Sequence, residues 1–404
     1  MTETYFRRGF GLKSEIEGQL ASDYASSIVD AFRARGNVLT VGPLTFRLAK
    51  EFGFCYGVDR AVDYAYETRA KFPDKRIFLV GEIIHNPHVN QKLESMGIRF
   101  LQHEAGKSFD FSGITAEDVV ILPAFGVTVQ DFKRLRELGC VLVDTTCGSV
   151  LNVWTRVESY AKDGYTAVVH GKYYHEETKA TASQVEKYPG GKYLVLRDLA
   201  EARPVLDFIE GRGDAAALKA QFAHAASPDF DFGRDLERIG IANQTTMLAG
   251  ESLALAAEFR KSFAARLGTE EAEKRFRSFD TLCSATQERQ DAVNALLEDG
   301  VDLMLVVGGY NSSNTCHLAA LAVSKGARAF HLEDAECIDT AAGTLRHQAV
   351  RAKVESVEPS GWMGTAKVIG LTAGASTPNN KVGETVFRIC QMTGLSAELE
   401  KAIA

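Results

Sequence analysis

Three cysteines in this sequence have a setting suited to chemistry. Cys55 in FGFCYGVDRAVDYAYETR, Cys147 in VLVDTTCGSV and Cys283 in FDTLCSATQ each follow a β-like run and precede a helix-like stretch. The last two share the spelling Asp-Thr-x-Cys, a weak internal repeat, and the three sites lie roughly one small α/β domain apart. A thiolate at a helix N-terminus is stabilised by the helix dipole and is a competent metal ligand. Three such thiolates meeting at one point suit zinc or an iron–sulfur cluster. No CxxC pair supports either, so three packed cysteines behaving as small hydrophobes is the plain alternative. Cys140, Cys316, Cys337 and Cys390 fall inside strand or helix patterns and are expected to pack.

A second group consists of polar turns that open helices. Asn311, Ser312, Ser313 and Asn314 stand between a strand and a helix, and Ser376 and Thr377 precede Pro378. His85 and Asn86 precede Pro87 in the same way, and Gln244, Thr245 and Thr246 come before a helical run. Proline suits the first position of a helix. Hydroxyls, amides and backbone N–H groups at helix N-termini bind anions without Lys or Arg. Any one of these turns also serves as an ordinary cap; four in one chain point to a phosphate ligand. The third group is His170-Gly-Lys-Tyr-Tyr-His175-Glu-Glu177, where a histidine and a carboxylate two residues apart suit proton delivery. A solvated loop is the alternative there. Common nucleotide and hydrolase signatures are missing: GxxxxGK[ST], GxGxxG after a strand, GxSxG and HExxH do not occur, and Gly106-Lys107-Ser108 lacks the earlier glycine.

The elements that must hold these residues read as α/β throughout. The runs RIFLVGEII, DVVILPAFG, YTAVVHGK, VDLMLVVGG and KVIGLTAGA are apolar and strand-length, and helical stretches follow them. Continuous apolar strands between helices predict parallel sheets covered on both faces. In such sheets the strand-to-helix turns lie at the carboxyl edge, where ligands bind. Residues 1–38 read as a helix-like extension, and residues 200–240 as an insertion without a clear strand and with one short helix. The 404 residues carry 46 Lys+Arg against 53 Asp+Glu, a formal charge of −7. A mildly acidic chain is a poor phosphate-tracking nucleic-acid binder. No apolar run reaches the roughly 18 residues of a membrane span. Seven scattered cysteines are not a disulfide framework, and the start MTETYFRRGFG resembles neither a signal nor a transit peptide. A reducing cytoplasm, in a bacterial source, is the expectation.

Taken together, GFCYGVDRAV, GEIIHNPHV, DTTCGSV, HGKYYHEET, NQTT, DTLCSATQERQDAV, VVGGYNSSNTCHLA and LTAGASTP resemble the 4-hydroxy-3-methylbut-2-enyl diphosphate reductase (LytB) family, in the family's order. The resemblance implies a trefoil of three small α/β units around a central iron–sulfur cavity. On this chain it implies an extension (1–38), a first unit (39–147), a second (148–282, with the insertion) and a third (283–404). It implies that Cys55, Cys147 and Cys283 hold a [4Fe–4S] cluster with one iron open to substrate. It implies that His85, His175, Thr245, Ser312, Ser313, Asn314 and Ser376 bind the substrate, and that Glu177, Thr245 and His175 serve catalysis. The implied reaction is reductive dehydroxylation of the diphosphate to isopentenyl and dimethylallyl diphosphate, with ferredoxin or flavodoxin as electron donor. One position departs from the family. Many members have Ala-His-Gly where this chain has Ala124-Phe125-Gly126, so a second diphosphate-contacting histidine is missing. Phe here, the extension and the longer middle unit resemble the cyanobacterial and plastid branch. A structural zinc protein and a non-catalytic phosphometabolite binder are the rival readings.

Overall fold

The computed structural model describes residues 4–102, 108–279, 283–350 and 352–404, and every statement below concerns those residues. Gly106 and Lys107, and the Asp280-Thr281 half of the second Asp-Thr-x-Cys, lie outside them. The chain divides into two compact units. One contains the N-terminal residues up to Arg8, Asp74–Ile83 and Gly97–Cys283; the other contains Gly9–Pro73, Ile84–Met96 and Ser284–Ala404.

The first unit carries two all-parallel sheets. In one, the order is Tyr5–Phe6, Val141–Asp144, Val119–Leu122, Ile77–Val80, Ile98–Leu101. In the other it is Phe276–Ser278, Ile239–Asn243, Thr166–His170, Tyr193–Leu196. The central strands Ile77–Val80, Val119–Leu122, Thr166–His170 and Ile239–Asn243 are buried at every residue. That is why they read as unbroken apolar runs rather than as alternating ones.

The second unit carries one sheet that is parallel at its centre and antiparallel at both edges. Leu303–Val307 pairs in parallel with Ala329–Leu332 and with Val368–Ala373, and Val368–Ala373 pairs in parallel with Leu44–Leu48. The antiparallel edges are Val38–Val41 on one side and Thr344–Gln348 with Ile338–Asp339 and Glu355–Glu358 on the other. Its core gathers Phe32, Phe46, Leu305, Leu371, Val386 and Ile389.

Three expectations need correction. The strands at 38–48 belong to the sheet of 303–307 and 368–373, so a boundary at 39 does not separate a first α/β unit. Their partner lies over 300 residues away in sequence, a pairing that no local pattern reports. The extension is not wholly helical either: Tyr5–Phe6 adds a parallel edge strand beside Val141–Asp144, before the helices Lys13–Tyr24 and Ser27–Ala34. The stretch 200–240 holds three helices rather than one: Leu199–Ile209, Ala215–Gln221 and Phe232–Asp235. Asp198, Asp214 and Asp231 each cap one of them by accepting backbone N–H groups, which is the preferred aspartate N-cap role. Phe222, Phe230 and Phe232 bury the segment against the four-stranded sheet's core.

Gly240 marks the tightest packing in that sheet. A Cβ there would come within 2.5 Å of the Tyr160 ring, whose hydroxyl donates to the Ile241 carbonyl at 2.8 Å. Tyr160 is fully buried and cannot retreat without opening a cavity. Gly240→Ala is expected to destabilise the protein by about 1–3 kcal/mol. Urea unfolding should show a lower midpoint at unchanged slope.

Candidate active site

In the second unit, parallel pairing sets Val307 beside Ala373, so the turns after both strands emerge side by side. Ser312 caps the helix Ser313–Ser324, accepting from Thr315 N (3.4 Å) and from the Thr315 hydroxyl (3.0 Å). Ser376, in the neighbouring turn, lies 3.3 Å from the Ser312 hydroxyl and donates to the His85 carbonyl at 3.1 Å. Asn314 accepts from Ala375 N (2.9 Å), which fixes its amide; its buried Nδ2 has no hydrogen-bond partner among the described residues. His85 itself lies just before the helix Pro87–Ser95, with Nδ1 3.4 Å from Asn311 Nδ2. Three helix N-termini, hydroxyls, an amide with a spare donor and an imidazole thus gather in one place. They form an anion cradle built on dipoles rather than on lysine or arginine. Of the expected substrate residues, His85, Ser312, Asn314 and Ser376 are brought together here, and Ser313 is buried as the first residue of its helix. Pro378 occupies the cap position, one residue earlier than expected, and the helix begins at Asn379.

The first unit holds the expected catalytic residues Glu177, His175 and Thr245. Glu177 is 2% exposed, and each carboxylate oxygen accepts one bond from Thr245: the N–H at 2.6 Å and the hydroxyl at 2.9 Å. His175 caps the helix Glu176–Ser183, its Nδ1 accepting from Glu177 N at 3.2 Å. That bond puts the proton of the neutral imidazole on Nε2. The Phe125 ring meets the His175 ring edge-on at 5.9 Å between centroids. The expectation that Thr245 opens a helix is not met. The helix starts at Ala249, and the 244–246 turn serves Glu177 instead. Gln244 fastens the two turns together. It is fully buried, and its Oε1 accepts from Lys172 N and the Thr178 hydroxyl, both at 3.2 Å.

His170, at the start of the same motif, is not part of this chemistry. Its ring is fully buried, with Nδ1 2.8 Å from the Ser252 hydroxyl and Nε2 3.1 Å from the Arg197 carbonyl. Burial pushes the imidazole down to about 4, outweighing the carbonyl contact that favours the cation.

The cysteines divide as their settings suggest. Cys140, Cys337 and Cys390 are buried in the core, and the half-buried Cys316 donates to the Tyr310 carbonyl at 3.3 Å. Cys55, Cys147 and Cys283 are half-buried and not in disulfides. Cys55 and Cys147 each stand at the cap of a helix, Tyr56–Lys71 and Gly148–Lys162. Cys283 directly precedes the helix Ser284–Glu298. Within the first unit, the Ser149 hydroxyl donates to Cys283 Sγ at 3.4 Å. Burial pushes the Cys147 thiol up; Ser149 N–H pulls it back, and the nearby Cys283 adds to the rise. Two thiols that disfavour each other's ionisation are a donor set suited to a cation.

Two supports escape a motif reading. Asp144, three residues before Cys147, accepts from Thr146 N (3.0 Å) and its hydroxyl (2.5 Å). It also accepts from the hydroxyl of Tyr5 (2.5 Å), with Arg7 at 3.6 Å, so the extension braces the Cys147 turn. Arg289 binds the carbonyls ahead of Cys55. Tyr5 lies far from the Cys147 motif, and Arg289 lies within DTLCSATQERQDAV, far in sequence from the Cys55 loop; only folding joins them to their partners.

Parallel sheets with cysteines, a buried acid and an anion cradle at their strand-to-helix turns define an α/β enzyme of the open-sheet kind, with ligands at the carboxyl edges. The chain belongs to the LytB protein family, whose model matches residues 46–390. It is 46% identical over 398 residues to the 4-hydroxy-3-methylbut-2-enyl diphosphate reductase of Gloeobacter violaceus, covering 98% of this chain and 94% of that protein. It is 46% identical over 395 residues to the enzyme of the same name from Synechococcus sp. (strain CC9311), covering 97% and 96%. Among solved structures it resembles the E-1-hydroxy-2-methyl-but-2-enyl-4-diphosphate reductase of Plasmodium falciparum (TM-score 0.63, 21% identity, 85% of this chain and 87% of that one). It also resembles an (E)-4-hydroxy-3-methyl-but-2-enyl diphosphate reductase described as the terminal enzyme of the non-mevalonate pathway (TM-score 0.52, 26% identity, 85% and 98%).

The depressed His170 has a thermodynamic consequence. Its unfolded value lies near 6.5 and its folded value near 4, so between these the unfolded chain binds more protons. Stability is therefore full above pH 6.5 and falls as pH drops toward 4, by about 3 kcal/mol for this group. His331, buried to the same effect, adds its own share. His170→Gln is expected to flatten the loss between pH 7 and pH 5, measured as the shift of the urea midpoint.

Proposed function

We propose that this chain catalyses the reductive dehydroxylation of 4-hydroxy-3-methylbut-2-enyl diphosphate to isopentenyl and dimethylallyl diphosphate, the last step of the methylerythritol phosphate route. Membership of the LytB family supports the reaction, and the near full-length identity to reductases of that name supports the substrate. The single structural observation that carries it is the buried Glu177 carboxylate held by both the N–H and the hydroxyl of Thr245. A buried acid locked onto a hydroxyl is a proton source with a relay attached.

In this reading Cys55, Cys147 and Cys283 hold a [4Fe–4S] cluster. Three thiols at strand-to-helix turns, two of them in mutual electrostatic contact, fit a group that takes three protein thiolates. When bound, the cluster supplies two electrons, one at a time, and Lewis acidity at the iron that no cysteine fills.

The protein's own residues do the rest. Ser312, Asn314, Ser376 and His85 hold the diphosphate, with Ser313 contributing the first N–H of its helix. Asn314 Nδ2 supplies the donor that lacks a partner among the described residues. Anchoring the diphosphate fixes the distant hydroxyl for reaction, since binding energy at an unreactive group converts to orientation. Glu177 gives up its proton through Thr245 Oγ1, so the oxygen departs as water rather than as hydroxide, a much poorer leaving group. The overall balance is two electrons and two protons in, and one water out. His175, with its proton on Nε2, donates to substrate oxygen. Phe125 replaces the family's second histidine with an apolar ring against His175. The cradle therefore has one fewer cationic or donor contact, and the helix N-termini carry more of the load.

The electron donor is a low-potential one-electron carrier, ferredoxin or flavodoxin, acting in the cytoplasm. Among the described residues no helix is long and apolar enough to cross a membrane.

Anaerobically purified protein is expected to be brown and to contain four irons and four sulfides per chain for a [4Fe–4S] cluster; a colourless, zinc-only product would refute the redox reading. Glu177→Gln should keep the cluster spectrum and lose about 10²–10⁴-fold in turnover, and unchanged turnover would take Glu177 out of the proton path. Cys147→Ser should fail to retain a stable cluster, read as iron and sulfide content after desalting.

A further inference from the structure

Arg289 is a buried cation without an anionic partner. It sits on the helix Ser284–Glu298 and is only 3% exposed. Its guanidinium makes four hydrogen bonds, every one to a main-chain carbonyl. Nε and Nη2 donate to Gly53 at 3.2 and 2.8 Å, Nη2 also donates to Phe54 at 3.2 Å, and Nη1 donates to Ala285 at 2.8 Å. No carboxylate forms an ion pair with it among the described residues. The carboxylate that feels its field is Asp59, which makes no hydrogen bond to it.

A buried charge without a counter-charge costs several kcal/mol, and carbonyl dipoles offset only part of that. The carbonyls do not require a charge. A glutamine amide satisfies a carbonyl at lower desolvation cost. Nor does the loop need Arg289 as its sole fastening, because Gly53 N donates to Ala373 O and Cys55 N to Ala375 O, both at 3.2 Å. What only a cation supplies here is a fixed positive potential at the two peptide units leading to Cys55.

We propose that Arg289 tunes the reduction potential of the redox centre that Cys55 holds, a statement that rests on Cys55 being a cluster ligand. A cluster with three thiolates is anionic, and each electron accepted from the carrier protein adds one negative charge. A fixed cation in a low-dielectric site stabilises the more negative state more. Arg289 therefore favours reduction and brings the centre within reach of its donor. Its missing counter-ion is the cluster itself. Arg289 touches neither substrate nor reacting atoms; it acts through the centre's electrostatics.

The test is an anaerobic redox titration of the loaded, full-length protein without substrate, followed by electron paramagnetic resonance. Arg289→Gln keeps hydrogen bonding without charge, Arg289→Met keeps volume without charge, and Arg289→Lys keeps charge without the fork. Either neutral variant is expected to lower the reduced-to-oxidised ratio at a fixed potential about tenfold, a midpoint 59 mV more negative for one electron. Arg289→Lys should stay within about threefold of the parent. Neutral variants with an unchanged midpoint would overturn the inference. So would a lysine variant that falls as far as the neutral ones, since the fork geometry rather than the charge would then matter. Iron and sulfide analysis of the parent protein separates the two levels. A parent that binds no cluster refutes the function, whereas a loaded parent with indifferent variants refutes only the role of Arg289.

Discussion

The parallel pairing of Leu303–Val307 with Val368–Ala373 is the constraint on which the anion cradle depends. Parallel strands end at the same edge, so Ser312–Asn314 and Ser376 become neighbours although more than sixty residues separate them. The approach is close enough to dictate sequence. A Cβ on Gly374 would collide with the Thr315 hydroxyl, and that hydroxyl donates to the Ser312 cap. The turn can therefore only close over a residue without a side chain. The same rule of parallel sheets places Cys147 after Val141–Asp144 in the first unit.

The electrostatics follow a consistent division. The chain is net acidic, at −7. The polar cradle around Ser312 and Ser376 uses helix N-termini, hydroxyls, an amide and the His85 imidazole rather than lysine or arginine. The buried guanidinium of Arg289 is bonded to the Cys55 loop. Glu177, at the first turn of its helix, accepts from the N–H and the hydroxyl of Thr245.

Much of this was legible in the residues. Fully apolar strands between helices gave the parallel sheets, because a strand buried on both faces has no reason to alternate. Asn86 before Pro87 was a readable cap. The cysteines at strand-to-helix turns stood out from the four in regular elements because turns expose what elements bury. Other parts misled. The stretch at 200–240 reads as loop because aspartate and glycine break the periodicity, yet Asp214 and Asp231 begin helices within it and Asp198 begins one just before it. Thr245 reads as a cap because it is polar and precedes a helix, and its true partner lies 68 residues earlier.

The sequence by itself determined the α/β class, the turns that carry chemistry and the family, since these rest on local patterning and on motif order. Tertiary structure alone decided the partnerships. Examples are Thr245 with Glu177, Tyr5 with Asp144, Arg289 with the Cys55 loop, and the strands at 38–48 with a sheet built mainly from the last hundred residues. The physical reason is range. Caps, turns and strand periods are set by neighbours a few residues apart. Hydrogen bonds and sheet pairings between distant segments are fixed only when burial forces each polar group to find a partner.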